Sequence, residues 1–135
     1  MTYLVERLAE LRRHVDHLRL LRPRVSAEAL AADLSFHNDV LFSLLMVCQL
    51  VIDLAGELSA RQGMPFEDYR QAVRNLATMS LVAADTVAAL ERLPGFRNVL
   101  IHEYVALDLE RAVEAMDQLR PVEELVEAVR RRLAT

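Results

Sequence analysis

The sequence has 135 residues, of which 53% are hydrophobic and 27% charged, with 3 Gly, 4 Pro and one Cys. So few turn-forming residues exclude a strand-rich fold, the apolar fraction excludes a disordered chain, and the single cysteine excludes a disulfide scaffold. The net charge of −4 gives no general attraction to nucleic acid or anionic membranes. We therefore predict one soluble, cytoplasmic, all-α domain over residues 1–135, an antiparallel bundle of five or six helices.

The first two predicted helices cover residues 3–22 and about 26–59. Apolar residues recur every three or four positions in the first one; these are Leu4, Leu8, Leu11, Val15, Leu18 and Leu21. Pro23 ends this helix because a residue before proline leaves the α region, and Ser26 is a suitable cap for the next. The apolar run at 40–52 is shorter than the roughly 20 residues that span a bilayer, so it predicts a buried core helix without membrane contact.

Four further helices are predicted in the second half of the chain. Two cover residues 66–79 and 81–93, and Pro94-Gly95 is expected to break the chain after them. A short helical segment follows at 96–103. The last helix opens at Asp108, whose side chain can cap it, and Pro121 is expected to kink or restart it.

The second helix carries a polar stripe on an otherwise apolar rod. At about 100° per residue, its members fall on one side of the helix; they are Ser35, Asp39, Ser43, Asp53 and Glu57. Such a stripe faces either water or a polar site.

Two histidines on the first helix, His14 and His17, lie one turn apart with Asp16 between them. A zinc site takes three or four ligands, and no second pair with ligand-like spacing occurs in the sequence. The sequence also has no glycine-rich phosphate loop and no His-Glu-x-x-His motif. We therefore predict no metal and no cofactor, and we interpret Cys48 as a small buried apolar residue.

The segment at 95–104 is the most informative part of the chain. It places Arg97, Asn98, His102 and Tyr104 among apolar residues, where polar groups need partners. One interpretation is purely structural: Arg97 pairs with a carboxylate such as Asp39 or Asp53, and His102 is hydrogen-bonded in the core. On an ideal helix Arg97 and His102 point about 140° apart, so a functional pair needs an irregular turn, long side-chain reach or a two-fold dimer.

The pattern Arg97-x4-His102-x-Tyr104 resembles the Arg-x4-His-x-Tyr motif of HepT-type toxins in the HEPN superfamily. Asn98 matches the polar residue that this superfamily favours after the arginine. Three segments outside the motif also resemble the family. They are residues 51–55 on the second helix, Leu93-Pro94-Gly95-Phe96 before the motif, and Asp108-Leu109-Glu110 after it. The resemblance covers nearly the whole chain.

This resemblance implies a homodimeric, metal-independent ribonuclease that acts as the toxin of a toxin–antitoxin pair. Its catalytic residues would be His102, as general acid or base, and Arg97, as the phosphate ligand, with Asn98 in support. The implied partner is a minimal nucleotidyltransferase antitoxin of the MntA type. It would transfer AMP to Tyr104, and the bulky anionic group would block the RNA site.

Two other interpretations stay open at this point. The chain could be a non-catalytic helical module that binds a nucleotidyltransferase or its substrate, or a structural dimer with a buried Arg–His network. The roles of toxin and antitoxin could also be reversed.

The first helix and the turn after it form a possible RNA-contacting rim. Between Glu6 and Arg24 there are six arginines and three acidic residues. The arginines are Arg7, Arg12, Arg13, Arg19, Arg22 and Arg24. A solvated amphipathic face explains the same pattern.

Overall fold

A computed structural model describes residues 2–135, which form eight α-helices. These are α1 (Thr2–Leu21), α2 (Ala27–Ala32), α3 (Leu34–Arg61), α4 (Tyr69–Thr78), α5 (Ala84–Leu90), α6 (Leu93–His102), α7 (Leu109–Ala115) and α8 (Leu119–Ala134). Short 3₁₀ turns occupy Arg22–Arg24, Tyr104–Ala106 and Met116–Gln118. Residues 2–135 contain no strand, and the predicted all-α helical bundle is confirmed.

The long helix α3 is the centre of the bundle, because α1, α2, α4 and α6 all pack against it. Helix α1 lies between α3 and α8 and buries every residue of its predicted apolar stripe. Burial of one such leucine stabilises the fold by about 1.5–3 kcal/mol, so the stripe alone fixes α1 on the core. Cys48 is buried in α3 as predicted, and burial raises the pKa of its thiol to about 12.

The predicted second helix is in fact two helices, α2 and α3, which meet at Asp33. Ser26 caps α2 as expected, since its hydroxyl accepts a hydrogen bond from the Ala29 N–H. Asp33 then adopts an extended conformation (φ −135°, ψ 107°), and its carboxylate accepts from the Phe36 N–H. A helix cap needs both features, and nothing in the apolar periodicity shows them.

The next two helices begin later than predicted. Helix α4 begins after Asp68, whose carboxylate accepts from the Gln71 N–H at 2.8 Å. Helix α5 begins at Ala84, after a turn in which Ser80 has a positive φ of 56°. Residues 66–68 and 80–83 therefore belong to turns.

The expected break at Pro94-Gly95 is wrong, because both residues lie inside α6. Pro94 occupies the first turn of the helix, where its missing N–H costs no intrahelical hydrogen bond. The buried side chains of Leu93, Phe96 and Leu100 attach α6 to the core.

The last predicted helix is also two helices, but the division precedes Pro121. The 3₁₀ turn at Met116–Gln118 separates α7 from α8, and Pro121 lies in the first turn of α8. Asp108 caps α7 as predicted, accepting from the Glu110 N–H at 3.0 Å.

By length and composition alone, α3 could cross a membrane. However, 56% of its most apolar 18-residue window is buried inside the bundle, which is typical of a core helix. The predicted core role of residues 40–52 is therefore confirmed.

Candidate functional site

Arg97 is held at the surface by a relay of side chains from α3. Its Nε–H donates to Oε1 of Gln49 at 2.8 Å, and Nε2 of Gln49 donates to Oδ1 of Asp53 at 2.8 Å. Gln49 and Asp53 are four residues apart on α3 and therefore share one face of it. The relay fixes one edge of the guanidinium while Arg97 stays only half-buried.

Among residues 2–135, the positive charge of Arg97 has no direct counter-ion. No carboxylate oxygen lies within 4 Å of its guanidinium among residues 2–135. Its Nη1 donates to Oδ1 of Asn98 at 3.0 Å, and the Tyr69 ring centroid is 6.0 Å from its Cζ. A guanidinium that is oriented but not neutralised can bind a phosphate oxygen.

His102 is exposed at the carboxyl end of α6. Within residues 2–135 its imidazole has no hydrogen-bond partner and no carboxylate oxygen within 4 Å. An exposed imidazole is free to exchange protons with a bound molecule, as general acid–base chemistry requires.

Asn98 links the two candidate catalytic side chains. It accepts the hydrogen bond from Arg97, and it lies four residues before His102 on the same face of α6. Helix α6 is unbroken from Leu93 to His102, so Arg97 and His102 project about 140° apart. The irregular turn that could bring them together within one chain is therefore absent from residues 93–102.

Tyr104 lies just beyond α6, in the turn Tyr104–Ala106, with 67% of its surface exposed. Its neighbour Val105 is 90% exposed. The Tyr104 hydroxyl has no hydrogen-bond partner among the described residues, so a modifying enzyme can reach it without unfolding the bundle.

The purely structural interpretation of this segment is wrong in both of its parts. Arg97 pairs with neither Asp39 nor Asp53 directly, since Asp39 binds Nε2 of His17 at 2.8 Å and Gln49 stands between Arg97 and Asp53. His102 is outside the core.

Sequence reasoning missed Gln49 as part of the site. The only local signal was an amide inside the apolar run at 40–52. Its partner Arg97 is 48 residues away, and helical periodicity cannot predict such a contact.

The polar stripe of α3 serves different purposes along its length. Ser43 is buried and hydrogen-bonded to Nδ1 of His14 at 3.0 Å, whereas Asp53 orients Gln49. The stripe therefore faces α1 near the start of α3 and the Arg97 relay further on.

His14 and His17 do not converge on one point. His14 bonds to Ser43 and His17 to Asp39, and residues 2–135 contain no group of three or more possible metal ligands. Burial lowers the pKa of His14, which opposes its protonation.

Three of the six arginines in the basic rim predicted near the amino end form ion pairs. A nitrogen of Arg7 lies 3.7 Å from a carboxylate oxygen of Glu6. Arg13 pairs with Glu10 at 2.7 Å, and Arg19 pairs with Glu123 of α8. Arg24 lies over the Phe36 ring, with its Cζ 4.6 Å from the centroid. Arg12, Arg22 and Arg24 have no carboxylate oxygen within 4 Å in residues 2–135, so the solvated-face and RNA-rim interpretations both stay open.

Comparison with known families decides what this arrangement belongs to. The family described as Ribonuclease HepT-like matches residues 8–129. The chain belongs to the HepT-like family. The resemblance inferred from Arg97, His102 and Tyr104 is therefore confirmed at the level of the family.

Individual relatives agree with this assignment. The mRNA nuclease HepT of Shewanella oneidensis is 25% identical over 101 residues, covering 73% of this chain and 75% of that protein. A tri-AMPylated Shewanella oneidensis HEPN toxin in complex with MNT antitoxin has the same fold, with a TM-score of 0.81 and 20% identity over 96% of this chain and 98% of that one. A toxin–antitoxin complex with AMP-PNP gives a TM-score of 0.82 at 19% identity, with the same coverage.

Proposed function

We propose that this HepT-like protein is the toxin of a toxin–antitoxin pair and a metal-independent RNA endonuclease. The observation that carries the proposal is an Arg97 guanidinium that has no counter-ion among the described residues, on the same short helix as an exposed His102 that has no partner among them. The protein is proposed to act in the cytoplasm as one domain over residues 1–135. Membership of the Ribonuclease HepT-like family and the nuclease relative support the same activity.

The proposed reaction needs no group beyond the chain and the RNA. His102 removes the proton from a ribose 2′-OH, and the 2′-oxygen attacks the adjacent phosphorus. The bond to the 5′-oxygen breaks, the protonated His102 gives its proton to that oxygen, and a 2′,3′-cyclic phosphate remains. Arg97 binds the non-bridging oxygens, on which negative charge builds up in the transition state, and Asn98 holds the guanidinium in place.

A homodimer solves the geometric problem of α6. Because Arg97 and His102 diverge on a regular helix, a two-fold axis beside α6 would bring both pairs to one cleft. Phe42 supports such an interface, since it is 58% exposed and lies on the same face of α3 as Gln49. An exposed apolar ring two helical turns before Gln49 is a suitable dimer contact.

Tyr104 is the proposed point of control. A minimal nucleotidyltransferase of the MntA type would direct the Tyr104 oxygen to the α-phosphorus of ATP, forming a phosphodiester and releasing pyrophosphate. The attached AMP would stand two residues from His102 and repel the RNA backbone. The exposed phenol and the tri-AMPylated relative support this proposal.

The test is growth after induction of the wild type, Arg97→Ala and His102→Ala. We expect arrest only with the wild type, and rescue when a nucleotidyltransferase encoded beside the gene is co-expressed. Equal toxicity of all three would contradict the nuclease. RNA left intact by a protein that still binds the nucleotidyltransferase would favour the non-catalytic module.

Intact mass after that co-expression tests the modification. We expect AMP additions on the wild type and on Tyr69→Phe, but none on Tyr104→Phe. Tyr69 is a matched control because it is also exposed, on α4. Additions that persist in Tyr104→Phe would place the target elsewhere.

A further inference from the structure

A second basic feature lies at the other end of α6 from His102. It is a cleft of about 430 Å³ between the start of α4, the start of α6 and α7. Three exposed arginines line it, one from each of these regions: Arg70, Arg92 and Arg111. We call this feature the arginine cleft.

The charge of the arginine cleft is not neutralised. Across residues 2–135, no carboxylate oxygen lies within 4 Å of a guanidinium nitrogen of these three arginines. The lining contains one carboxylate, Glu114, so three positive charges face one negative charge. The Arg111 guanidinium lies 5.9 Å from the centroid of the buried Phe96 ring, which restricts its position. Planar guanidinium groups held around a concave site are suited to phosphate oxygens.

The arginine cleft and His102 are on the same face of α6. Arg92, Gly95, Val99 and His102 follow one another at intervals of three, four and three residues, and Arg92 already has helical dihedral angles. The ten residue steps from Arg92 to His102 span about 15 Å of helix. A chain of a few nucleotides covers this distance.

The path between the two ends is open at Gly95. No heavy atom outside its immediate neighbourhood lies within 4 Å of the position that a Cβ would take there. A strand leaving the arginine cleft can therefore lie against the helix backbone at Gly95 and continue past Val99 to His102.

We propose that the arginine cleft binds backbone phosphates of the single-stranded RNA substrate, a few nucleotides from the bond that is cut. The proposal rests on the proposed nuclease function. The volume of the arginine cleft is that of a small-ligand site, which admits part of one RNA strand and not a double helix. Alignment with His102 favours RNA over an acidic segment of a partner protein, because a docking peptide has no need of that alignment.

The test compares two triple variants in the inactive His102→Ala background. The first removes the cleft charges (Arg70→Ala, Arg92→Ala, Arg111→Ala), and the control removes the same charge elsewhere (Arg13→Ala, Arg61→Ala, Arg120→Ala). The probe is a labelled single-stranded mRNA fragment, titrated over a range of salt concentrations. Each lost phosphate contact should reduce the slope of log K against log salt by about 0.7. For the cleft variant we expect the magnitude of this slope to decrease by about 2, and RNA to bind at least tenfold more weakly at low salt.

Three results would overturn the proposal. The cleft variant could bind RNA with the wild-type slope, or both triple variants could weaken binding equally, which would indicate overall charge alone. Retained RNA binding with loss of the nucleotidyltransferase would instead show a protein-docking site. Cleavage of the same RNA by the wild type tests the nuclease separately, so the two failures are distinguishable.

Gly95 provides a second test that removes no charge. The position of a Cβ at Gly95 is open, and leucine is a better helix former than glycine, so Gly95→Leu should keep or raise the melting temperature. Its side chain would obstruct the strand, and we expect weaker RNA binding than for Gly95→Ala. Equal affinity of the two variants would contradict an RNA path along this face.

Discussion

Helix α1 and the surface around α6 are both rich in arginine, but they use it differently. On α1, three of the four arginines are in ion pairs, including Arg13 with Glu10 and Arg19 with Glu123 on α8. Around α6, neither Arg97 nor any arginine of the arginine cleft has a carboxylate within 4 Å in residues 2–135. The number of arginines in a segment measures charge density, whereas their pairing in the fold determines how much charge remains for a phosphate.

The histidines differ in the same way. His14 and His17 of α1 each have a partner on α3, a serine and an aspartate. His102 has no such partner in the part of the chain that the structure describes, and it is exposed. The four predictions below test this contrast, beginning with the largest expected effect.

Removing the unpartnered histidine should abolish activity without destabilising the fold. For His102→Ala we expect RNA cleavage to fall by about 10²- to 10⁴-fold, and the free energy of unfolding to stay within about 0.5 kcal/mol of the wild type. His17→Ala is the control. It should cleave RNA normally, and loss of the exposed pair between His17 and Asp39 should lower the free energy of unfolding by at most about 1 kcal/mol. Single-turnover cleavage and thermal melts measure both quantities, and equal loss of activity in the two variants would remove the contrast.

The relay behind Arg97 should matter for rate more than for stability. Gln49→Leu removes the acceptor that orients the guanidinium, and we expect kcat to fall by roughly tenfold to a hundredfold. Gln62→Leu, at the exposed end of α3, should have little effect. In an Arg97→Ala background, Gln49→Leu should not lower kcat further, because Gln49 acts through Arg97. Additive losses in the double variant would contradict a positioning role.

The partly buried His14 should make the protein less stable in mild acid. Burial lowers the pKa of His14 below its ordinary value of 6.5, although the nearby Glu10 carboxylate partly offsets this. As the pH falls below about 6.5, the unfolded chain binds this proton before the folded one does, so stability decreases. Thermal melts between about pH 7 and pH 5.5 should show a smaller decrease for His14→Gln than for the wild type. An unchanged pH dependence would mean that other groups dominate.

The smallest effect is expected from breaking a paired arginine on α1. Arg19→Ala removes the exposed ion pair with Glu123, and such pairs contribute about 0–1 kcal/mol. RNA binding and cleavage should stay at wild-type levels. A loss of RNA affinity comparable with that of the arginine-cleft variant would show that α1 contributes to the RNA surface after all.

Much of this fold could be predicted from the sequence alone, because amphipathic helices and the Arg-x4-His-x-Tyr motif are local patterns. The apolar stripe of α1 follows from spacing, and Arg97, His102 and Tyr104 lie within eight residues of one another. The breaks at Asp33 and at residues 116–118 escaped because they depend on backbone conformation within otherwise continuous helical patterns.

What escaped completely were contacts between distant parts of the chain. Gln49 binds Arg97 across 48 residues, and Arg19 binds Glu123 across 104. The first pair forms the relay and the second removes a charge from the expected basic rim. Only the packing of α3 against α6, and of α1 against α8, brings these side chains together.

The chemistry of the new RNA ends tests the central claim most directly. Purified wild type and His102→Ala are incubated with mRNA in a metal chelator, and the fragment termini are identified by mass. Cleavage assisted by the 2′-OH predicts fragments that end in a 2′,3′-cyclic phosphate, formed by the wild type alone. Fragments with free 3′-hydroxyl ends, or equal cleavage by the two proteins, would contradict a ribonuclease centred on Arg97 and His102.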